Sequence, residues 1–297
     1  MSAVGGGTGK PPGVPREPAI SAFIGALGKA ALIMALHPIW WALAGTNLRH
    51  ASSIPWAAAV MIAVLVGAWA LLQGRIGPRR SASARRALLH APPIGARAWI
   101  RSLSAGVPAM ATMFFLDSHA CMVLPVVWNG LPVIGDLARL PLALGIPFGL
   151  VSCAVAAVAE EAAFRGYMQS DLETRFGRLF SWLAVAVAFA GFHLIGRSFA
   201  DWRAGLLNWI AISLVFSALT DWSGSLLPTI VCHFTVDAAL LSLDWLDPKY
   251  DPFRHVHLGP IPAGCLLAAV AAVTSIAAFA KLRQLDGGSS SRFGSLS

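Results

Sequence analysis

Long apolar segments recur along this chain, and they constrain its fold more than any other feature. Eight such segments are separated by short polar or basic stretches. They cover residues 19–45, 55–73, 102–126, 140–159, 179–196, 205–220, 225–243 and 259–280. A helix of about 20 apolar residues spans the roughly 30 Å hydrocarbon core of a bilayer. The sequence therefore predicts an all-α, polytopic membrane helix bundle with about eight transmembrane helices.

The composition supports a membrane protein. Hydrophobic residues make up 57% of the chain and charged residues 12%, about half of the roughly 25% charged residues usual in soluble domains. The net charge is +8, but Lys and Arg cluster beside the apolar segments, where they act as topology signals rather than nucleic-acid contacts. Because more of them fall on the side of both termini, we expect a multi-pass inner (plasma) membrane protein with cytoplasmic ends and no nucleic-acid partner.

One membrane domain, residues 19–284, is expected between two tails. Residues 1–18 are rich in Gly and Pro and residues 285–297 in Gly and Ser, which is typical of disordered segments. A cleavable signal peptide is an alternative for the first apolar run, because basic residues precede it. The length of that run and its internal Lys29 favour a first spanning helix.

Several polar stretches have simple structural interpretations. The arginine-rich residues 75–101 are interpreted as a cytoplasmic topology anchor, with an anionic-lipid or substrate-steering patch as the alternative. Residues 167–178 alternate polar and apolar residues at a helical period and predict an interfacial connector. Four acidic residues are expected to be solvated in loops: Asp171, Glu173, Asp201 and Asp221.

Isolated cysteines and histidines in the apolar segments are predicted to be packing residues. The four cysteines show no spacing typical of a metal site or a disulfide framework. They are Cys121, Cys153, Cys232 and Cys265. His37 and His119 are interpreted as core histidines, because no other titratable motif accompanies them.

Two adjacent carboxylates, Glu160 and Glu161, end the fourth apolar segment. An acidic group at the centre of a membrane helix costs about 2.5 to 3.5 kcal/mol on insertion scales, so a functional site is the default interpretation. Residues four apart share a helix face, so Glu161 is predicted to pair with Arg165. Glu160 is rotated by about 100° and points elsewhere. A carboxylate left unpaired in an apolar cavity suits a general base, and Glu160 is the candidate.

Two later apolar segments also carry polar side chains. His193 follows Phe189 by four residues, and Asp237 follows His233 by four residues, so the latter pair lies on one helix face. Peptide hydrolysis needs an activated water, oxyanion stabilisation and protonation of the amine. We expect Glu160 and His193 to hold and deprotonate the water and His233 with Asp237 to face the carbonyl oxygen. The predicted glutamate–arginine pair would be buried and would fix the helix end.

The ordered motifs Glu-Glu-x-x-x-Arg, Phe-x-x-x-His and His-x-x-x-Asp/Asn, each in a different hydrophobic helix, resemble a known family. It is the CAAX protease and bacteriocin-processing (CPBP, or Abi) family of intramembrane endopeptidases, which includes the Ras-converting CAAX endopeptidase. The resemblance covers about residues 140–245. It implies that Glu160 and His193 act on water and that His233 and Asp237 form the oxyanion site. The best-understood relatives carry Asn where this chain has Asp237; an ionised aspartate cannot donate to an oxyanion, so it is either protonated or orients His233.

The resemblance favours an intramembrane endopeptidase that cleaves near the C-terminus or membrane anchor of a peptide or protein substrate. No cofactor is expected. As an alternative, two imidazoles and a carboxylate can form a zinc shell with Glu160 as base, although no His-Glu-x-x-His motif occurs. A non-enzymatic immunity factor, transporter or scaffold is the competing class, because intramembrane carboxylates and histidines also serve as proton relays. The sequence specifies neither the substrate nor the oligomeric state.

Overall fold

The computed structural model of the chain describes residues 19–50, 53–123, 140–195, 198–246 and 261–286. Every regular element within these ranges is helical, which confirms the all-α prediction. In chain order the α-helices are α1 Ala19–Met34, α2 Leu36–His50, α3 Trp56–Leu72, α4 Ala82–Leu89, α5 Ala96–Val123, α6 Leu142–Glu160, α7 Gln169–Phe176, α8 Arg178–Phe192, α9 Phe199–Ser223, α10 Leu227–Leu246 and α11 Ile261–Asp286. The predicted tails 1–18 and 285–297 lie outside the described ranges, except for residues 285 and 286 at the end of α11.

Three helical stretches in the described part of the chain are long and apolar enough to cross a membrane. They are Ala19–His50, Leu142–Phe176 and Gly205–Ser223. Three further apolar helices, Trp56–Leu72, Arg178–Phe192 and Leu227–Ala239, are shorter. The protein is therefore a multi-pass membrane helix bundle, while the number of eight spans remains a prediction.

The first apolar segment is broken into two helices at Ala35. Pro38 has no backbone N–H and cannot donate to the Met34 carbonyl, so the helical hydrogen-bond ladder is interrupted there. The second helix then restarts with the N–H of Ile39 donating to the Ala35 carbonyl over 3.3 Å.

Contacts between α2 and α6 place the first segment against the centre of the bundle. Trp40 Nε1 donates a hydrogen bond to Ser152 Oγ over 2.9 Å, and the Trp40 ring packs 5.4 Å from the ring of Phe148. Trp40 lies about one turn after His37, and Ser152 lies about two turns before Glu160. The contact therefore holds His37 and Glu160 on facing surfaces of the two helices.

Helix α6 continues without a break into an eight-residue π-helical segment, Glu161–Met168, and then into α7. Such wider turns are rare and often occur at functional sites. All eight residues of the segment are buried. Gly166 permits a close approach here, because a Cβ at this position would lie 3.3 Å from the carbonyl oxygen of Leu89 at the end of α4.

Residues 167–178, predicted to be an interfacial connector, contain α7, which joins the π-helical segment to α8. The location of this stretch at a membrane interface stays a prediction. Gln169, Asp171 and Leu172 in α7 are buried, and Asp171 forms an ion pair with Lys29 of α1. The first part of the stretch is buried in the bundle, whereas residues 173–178 are partly or fully exposed. The same ion pair explains how a charged residue, Lys29, is tolerated inside the first apolar segment, because Asp171 neutralises its charge within the protein.

The acidic residues expected in solvated loops lie in helices instead, two in α7 and two in α9. Asp221 is the clearest case, since it is only 6% exposed. Its Oδ1 accepts a hydrogen bond from Gln169 Nε2 and its Oδ2 one from Trp182 Nε1, each over 2.7 Å. The Arg178 Nε lies 3.3 Å from Oδ2. Asp221 thus joins α7, α8 and α9.

Replacing Asp221 with alanine is expected to lower the free energy of unfolding by about 1 to 3 kcal/mol, because two buried donors lose their acceptor. Asp221→Asn is the matched control, since its carbonyl oxygen retains one acceptor. Thermal unfolding in detergent compares the three proteins. Equal stability of Asp221→Ala and the wild type would contradict this structural role.

The basic stretch 75–101 contains the short helix α4, and Pro92-Pro93 separates α4 from α5. Arg85 uses its charge internally: Nε donates to the Leu71 carbonyl and Nη2 to the Ile76 carbonyl, each over 2.7 Å. This arginine therefore closes the turn after α3. The topology-anchor interpretation of the stretch remains a prediction.

The cysteines with described side chains are packing residues, as predicted. Cys153 and Cys232 are buried free thiols. The side chains of Cys121 and Cys265 lie outside the described part of the chain, and so does the side chain of His119.

Candidate active site

The two adjacent glutamates diverge at the junction between α6 and the π-helical segment. Glu160 is the last residue of α6, and Glu161 is the first residue of the π-helical segment. Both are buried, with 8% and 0% of their surfaces exposed. Their side chains contact different groups, as expected from the rotation of about 100° between successive helical residues. Two distinct carboxylate environments result.

Glu161 is held in a buried ion pair. Arg165 Nη1 donates to Glu161 Oε1 over 3.1 Å, and His233 Nδ1 lies 2.8 Å from the same oxygen. The Arg165 guanidinium also lies over the rings of Phe189 and Phe216, 4.3 and 5.3 Å from their centroids. The predicted contact between Glu161 and Arg165 is therefore present. The pair joins the π-helical segment to three other helices, because Arg165 packs on Phe189 of α8 and Phe216 of α9, and Glu161 contacts His233 of α10.

His233 on α10 lies among three carboxylates. Its Nδ1 faces Glu161, its Nε2 lies 3.4 Å from Asp237 Oδ2, and the same nitrogen lies 4.0 Å from Glu160 Oε2. The predicted pairing of His233 with Asp237 on one helix face is therefore present. His233 links the two glutamate environments, because it contacts both.

His193 lies at the C-terminal end of α8. A carbonyl oxygen can only accept, so the His193 Nδ1–H donates to the Phe189 carbonyl over 2.8 Å. Nε2 is then the acceptor nitrogen of the neutral ring. The ring stacks on Trp209 of α9 at a centroid distance of 4.9 Å and an interplanar angle of 26°. His193 also interacts electrostatically with Glu160, so it belongs to the same cluster.

His37 also contacts the site, and its interpretation as a satisfied core histidine is wrong. Its Nε2 lies 3.3 Å from Glu160 Oε1. Its Nδ1 is buried without a hydrogen-bond partner among the described residues. A sequence signal for this residue existed, because an ionisable side chain inside an apolar segment is a candidate functional residue by itself. His37 and His233 thus lie within 4.0 Å of Glu160, and His193, directly after α8, interacts with it electrostatically.

An apolar cleft of about 320 Å³ lies beside this cluster, between α1 and α8. Phe164 and Phe192 form the wall of the cleft nearest the site. The Phe192 ring centroid lies 6.3 Å from that of His37. The cleft lining contains none of the charged site residues, so it is an apolar surface adjacent to the polar cluster.

The geometry does not form a ready metal shell. Within the described residues, no three His, Cys, Asp or Glu side chains are arranged to ligate one ion. A zinc shell needs three or four nitrogen, sulfur or oxygen ligands at about 2.0 to 2.3 Å from the metal.

A comparison with protein-family models assigns the segment that carries these motifs. Residues 142–239 match the type II CAAX prenyl endopeptidase Rce1-like model. The chain contains a CAAX protease domain. All six residues predicted for the site lie within this domain: Glu160, Glu161, Arg165, His193, His233 and Asp237. Comparisons with curated proteins and with solved structures gave no match.

The CAAX protease domain runs from α6 through the first two thirds of α10 and agrees with the motif core of 140–245 expected from the sequence. It brings the carboxylate and imidazole groups of the three motifs into one cluster, in which Glu160, Glu161 and His233 are buried. His37 lies outside the matched segment, on a helix that packs against it. The match to the family model suggests a protease, and the residue roles follow below as a proposal.

Proposed function

We propose that this protein is an intramembrane endopeptidase in which Glu160 and His193 activate the attacking water. The observation that carries the proposal is the burial of Glu160 in one cluster with His193 and His233. The substrate is proposed to be a peptide or membrane-anchored protein, cleaved near its C-terminus or membrane anchor. The cytoplasmic orientation of both termini and the inner (plasma) membrane location belong to the same proposal, from the distribution of Lys and Arg.

The proposed reaction begins with proton transfer from water to Glu160. The acceptor nitrogen of His193 holds the same water, and the resulting hydroxide attacks the peptide carbonyl carbon. The carbonyl π electrons move to oxygen and form a tetrahedral oxyanion. When this intermediate collapses, the C–N bond breaks and Glu160 returns its proton to the leaving amine. The products are a carboxylic acid and an amine, with no other reactant consumed.

His233 is proposed to stabilise the oxyanion. In its protonated form, Nδ1–H donates to Glu161 and Nε2–H is directed towards the side where Glu160 and Asp237 lie. A fixed donor aimed at the developing negative charge is typically worth about 10² to 10³ in rate. Asp237 is proposed to orient the His233 ring rather than to bind the oxyanion, since its Oδ2 lies 3.4 Å from Nε2. This accounts for aspartate where relatives carry asparagine.

Glu161 and Arg165 are proposed to support the site without touching the substrate. Their ion pair neutralises the second carboxylate and fixes the ring of His233 through Glu161 Oε1. The guanidinium lies between two aromatic rings, which restricts its position. Glu160 is then the carboxylate available for proton transfer.

Removal of metal ions tests the proposed mechanism against the zinc alternative. We expect a strong chelator to leave cleavage by the purified protein unchanged, because a carboxylate base needs no Lewis acid. The assay measures cleavage of a quenched-fluorescent farnesylated peptide ending in a CAAX sequence, the motif in the family's name. A zinc protease treated in parallel serves as the control for chelation. Loss of cleavage that added zinc restores would move the assignment to a metalloprotease.

A further inference from the structure

We propose that His37 is a positioning residue that orients the Glu160 carboxylate for proton transfer. This inference rests on the proposed function, because it assigns a role through the general base. The contact that carries it joins His37 Nε2 to Glu160 Oε1 over 3.3 Å. An N–H group at Nε2 donates to this oxygen, so the two oxygens of Glu160 are no longer equivalent.

The two oxygens of Glu160 face different partners. Oε1 is directed at His37 on α2, whereas Oε2 lies 4.0 Å from His233 Nε2 on α10. A hydrogen bond at Oε1 restricts rotation of the carboxylate about its last side-chain bond. Oε2 is then the oxygen that points towards the oxyanion donor and takes the proton of the water. Orientation of this kind matters, because a misplacement of about 1 Å can cost about 10² in rate.

The environment of His37 argues against a purely structural role. Its side chain is 20% exposed, and its Nδ1 is buried without a hydrogen-bond partner among the residues described. Buried polar atoms are normally hydrogen-bonded, and an unsatisfied one costs about 1 to 3 kcal/mol. A histidine retained for packing alone would be better satisfied. The Nε2 contact of His37 is directed at the general base itself.

The backbone around His37 holds the side chain where its Nε2 can contact Glu160 Oε1. The break between α1 and α2 at Ala35 follows from Pro38, so His37 lies in the first turn of α2. The Trp40 hydrogen bond to Ser152 then fixes this turn against α6. His37 lies outside the segment 142–239 that matches the family model, so this contact is an addition made by the preceding helices.

The test compares His37→Leu with His37→Gln in the full chain. Glutamine retains an N–H donor near the position of Nε2, whereas leucine keeps the bulk and removes the donor. With the farnesylated CAAX peptide as probe, we expect kcat of His37→Leu to fall by about 10²-fold with KM unchanged, and His37→Gln to retain most of kcat. Equal loss in both variants, or no loss in His37→Leu, would overturn the inference.

Glu160→Gln, assayed in parallel, separates this inference from the proposed function. If Glu160→Gln retains cleavage, the proposed function fails whatever the His37 variants do. If Glu160→Gln abolishes cleavage and both His37 variants match the wild type, the proposed function stands and the role of His37 fails.

A second measurement does not depend on activity. The chain has four glutamates, so labelling their carboxyl carbons with ¹³C and subtracting the infrared spectrum of Glu160→Gln isolates the Glu160 band. We expect His37→Leu to shift this band and His37→Gln to leave it close to the wild type, because the band responds to hydrogen bonding at the carboxylate. An unshifted band in His37→Leu would show that His37 does not act on Glu160.

Discussion

Replacing Glu160 with glutamine is expected to reduce kcat for peptide cleavage by about 10³-fold, within the range for loss of a general base. Glutamine has nearly the same shape and keeps an oxygen for the His37 contact, but it cannot accept a proton from water. The change therefore removes the chemistry and leaves the packing of the buried site largely intact. Initial rates on the farnesylated CAAX peptide measure the effect.

Glu173→Gln is the matched control for this variant. Glu173 lies on α7 and contacts Arg178 Nε over 3.4 Å, away from the histidine cluster. The same chemical change there is expected to leave kcat and KM unchanged. A Glu160→Gln protein that cleaves the peptide at nearly the wild-type rate would contradict the role of Glu160 as the base.

Replacing Arg165 with leucine is expected to lower the free energy of unfolding by about 3 to 5 kcal/mol, as for other buried ion pairs that lose one partner. Glu161 would remain fully buried without its cation, and the packing of the guanidinium on Phe189 and Phe216 would be lost. Denaturant unfolding in detergent measures this change. We also expect little folded Arg165→Leu protein to accumulate in membranes.

The pair formed by Arg175 and Asp171 provides the control, because it has the same four-residue spacing but a partly exposed arginine. Arg175→Leu is expected to cost only about 0 to 1 kcal/mol, as is usual for exposed pairs. Similar stabilities of Arg165→Leu and Arg175→Leu would contradict the idea that the buried pair fixes the site.

Much of the site could be predicted from residue spacing, because residues four apart in a helix lie on the same face. The contacts of Glu161 with Arg165 and of His233 with Asp237 follow from four-residue spacings within single helices. The contact between His233 and Glu161 joins residues 72 apart, and nothing local in the sequence specifies it. This contact was not predicted, because the family resemblance implied only that the three motifs form one site.

The residues that were missed have partners far away in the sequence. His37 was assigned to the core because it is the only histidine of its segment, yet the packing of α2 against α6 brings it to Glu160. Asp221 was assigned to a loop because it is acidic, yet three donors from α7 and α8 surround it. In both cases the polarity of the residue was clear, but the partner depended on helix packing.

The π-helical segment could not be predicted either. Its sequence has ordinary helical composition, and the wider turns arise within the packed bundle around the buried Glu161–Met168 residues. Tertiary contacts commonly override local helical preference. The segment begins directly after Glu160, so a backbone conformation that the sequence did not predict lies next to the proposed base.

The most direct test of the proposed function is to profile the membrane proteome of cells that express either the wild-type protein or Glu160→Gln, with and without a chelator. We expect truncated peptides that occur with the wild type, disappear with Glu160→Gln and persist in the chelator; their termini would identify the substrate and the cleaved bond. Identical peptide profiles for the two proteins would contradict proteolysis and favour a proton relay or scaffold.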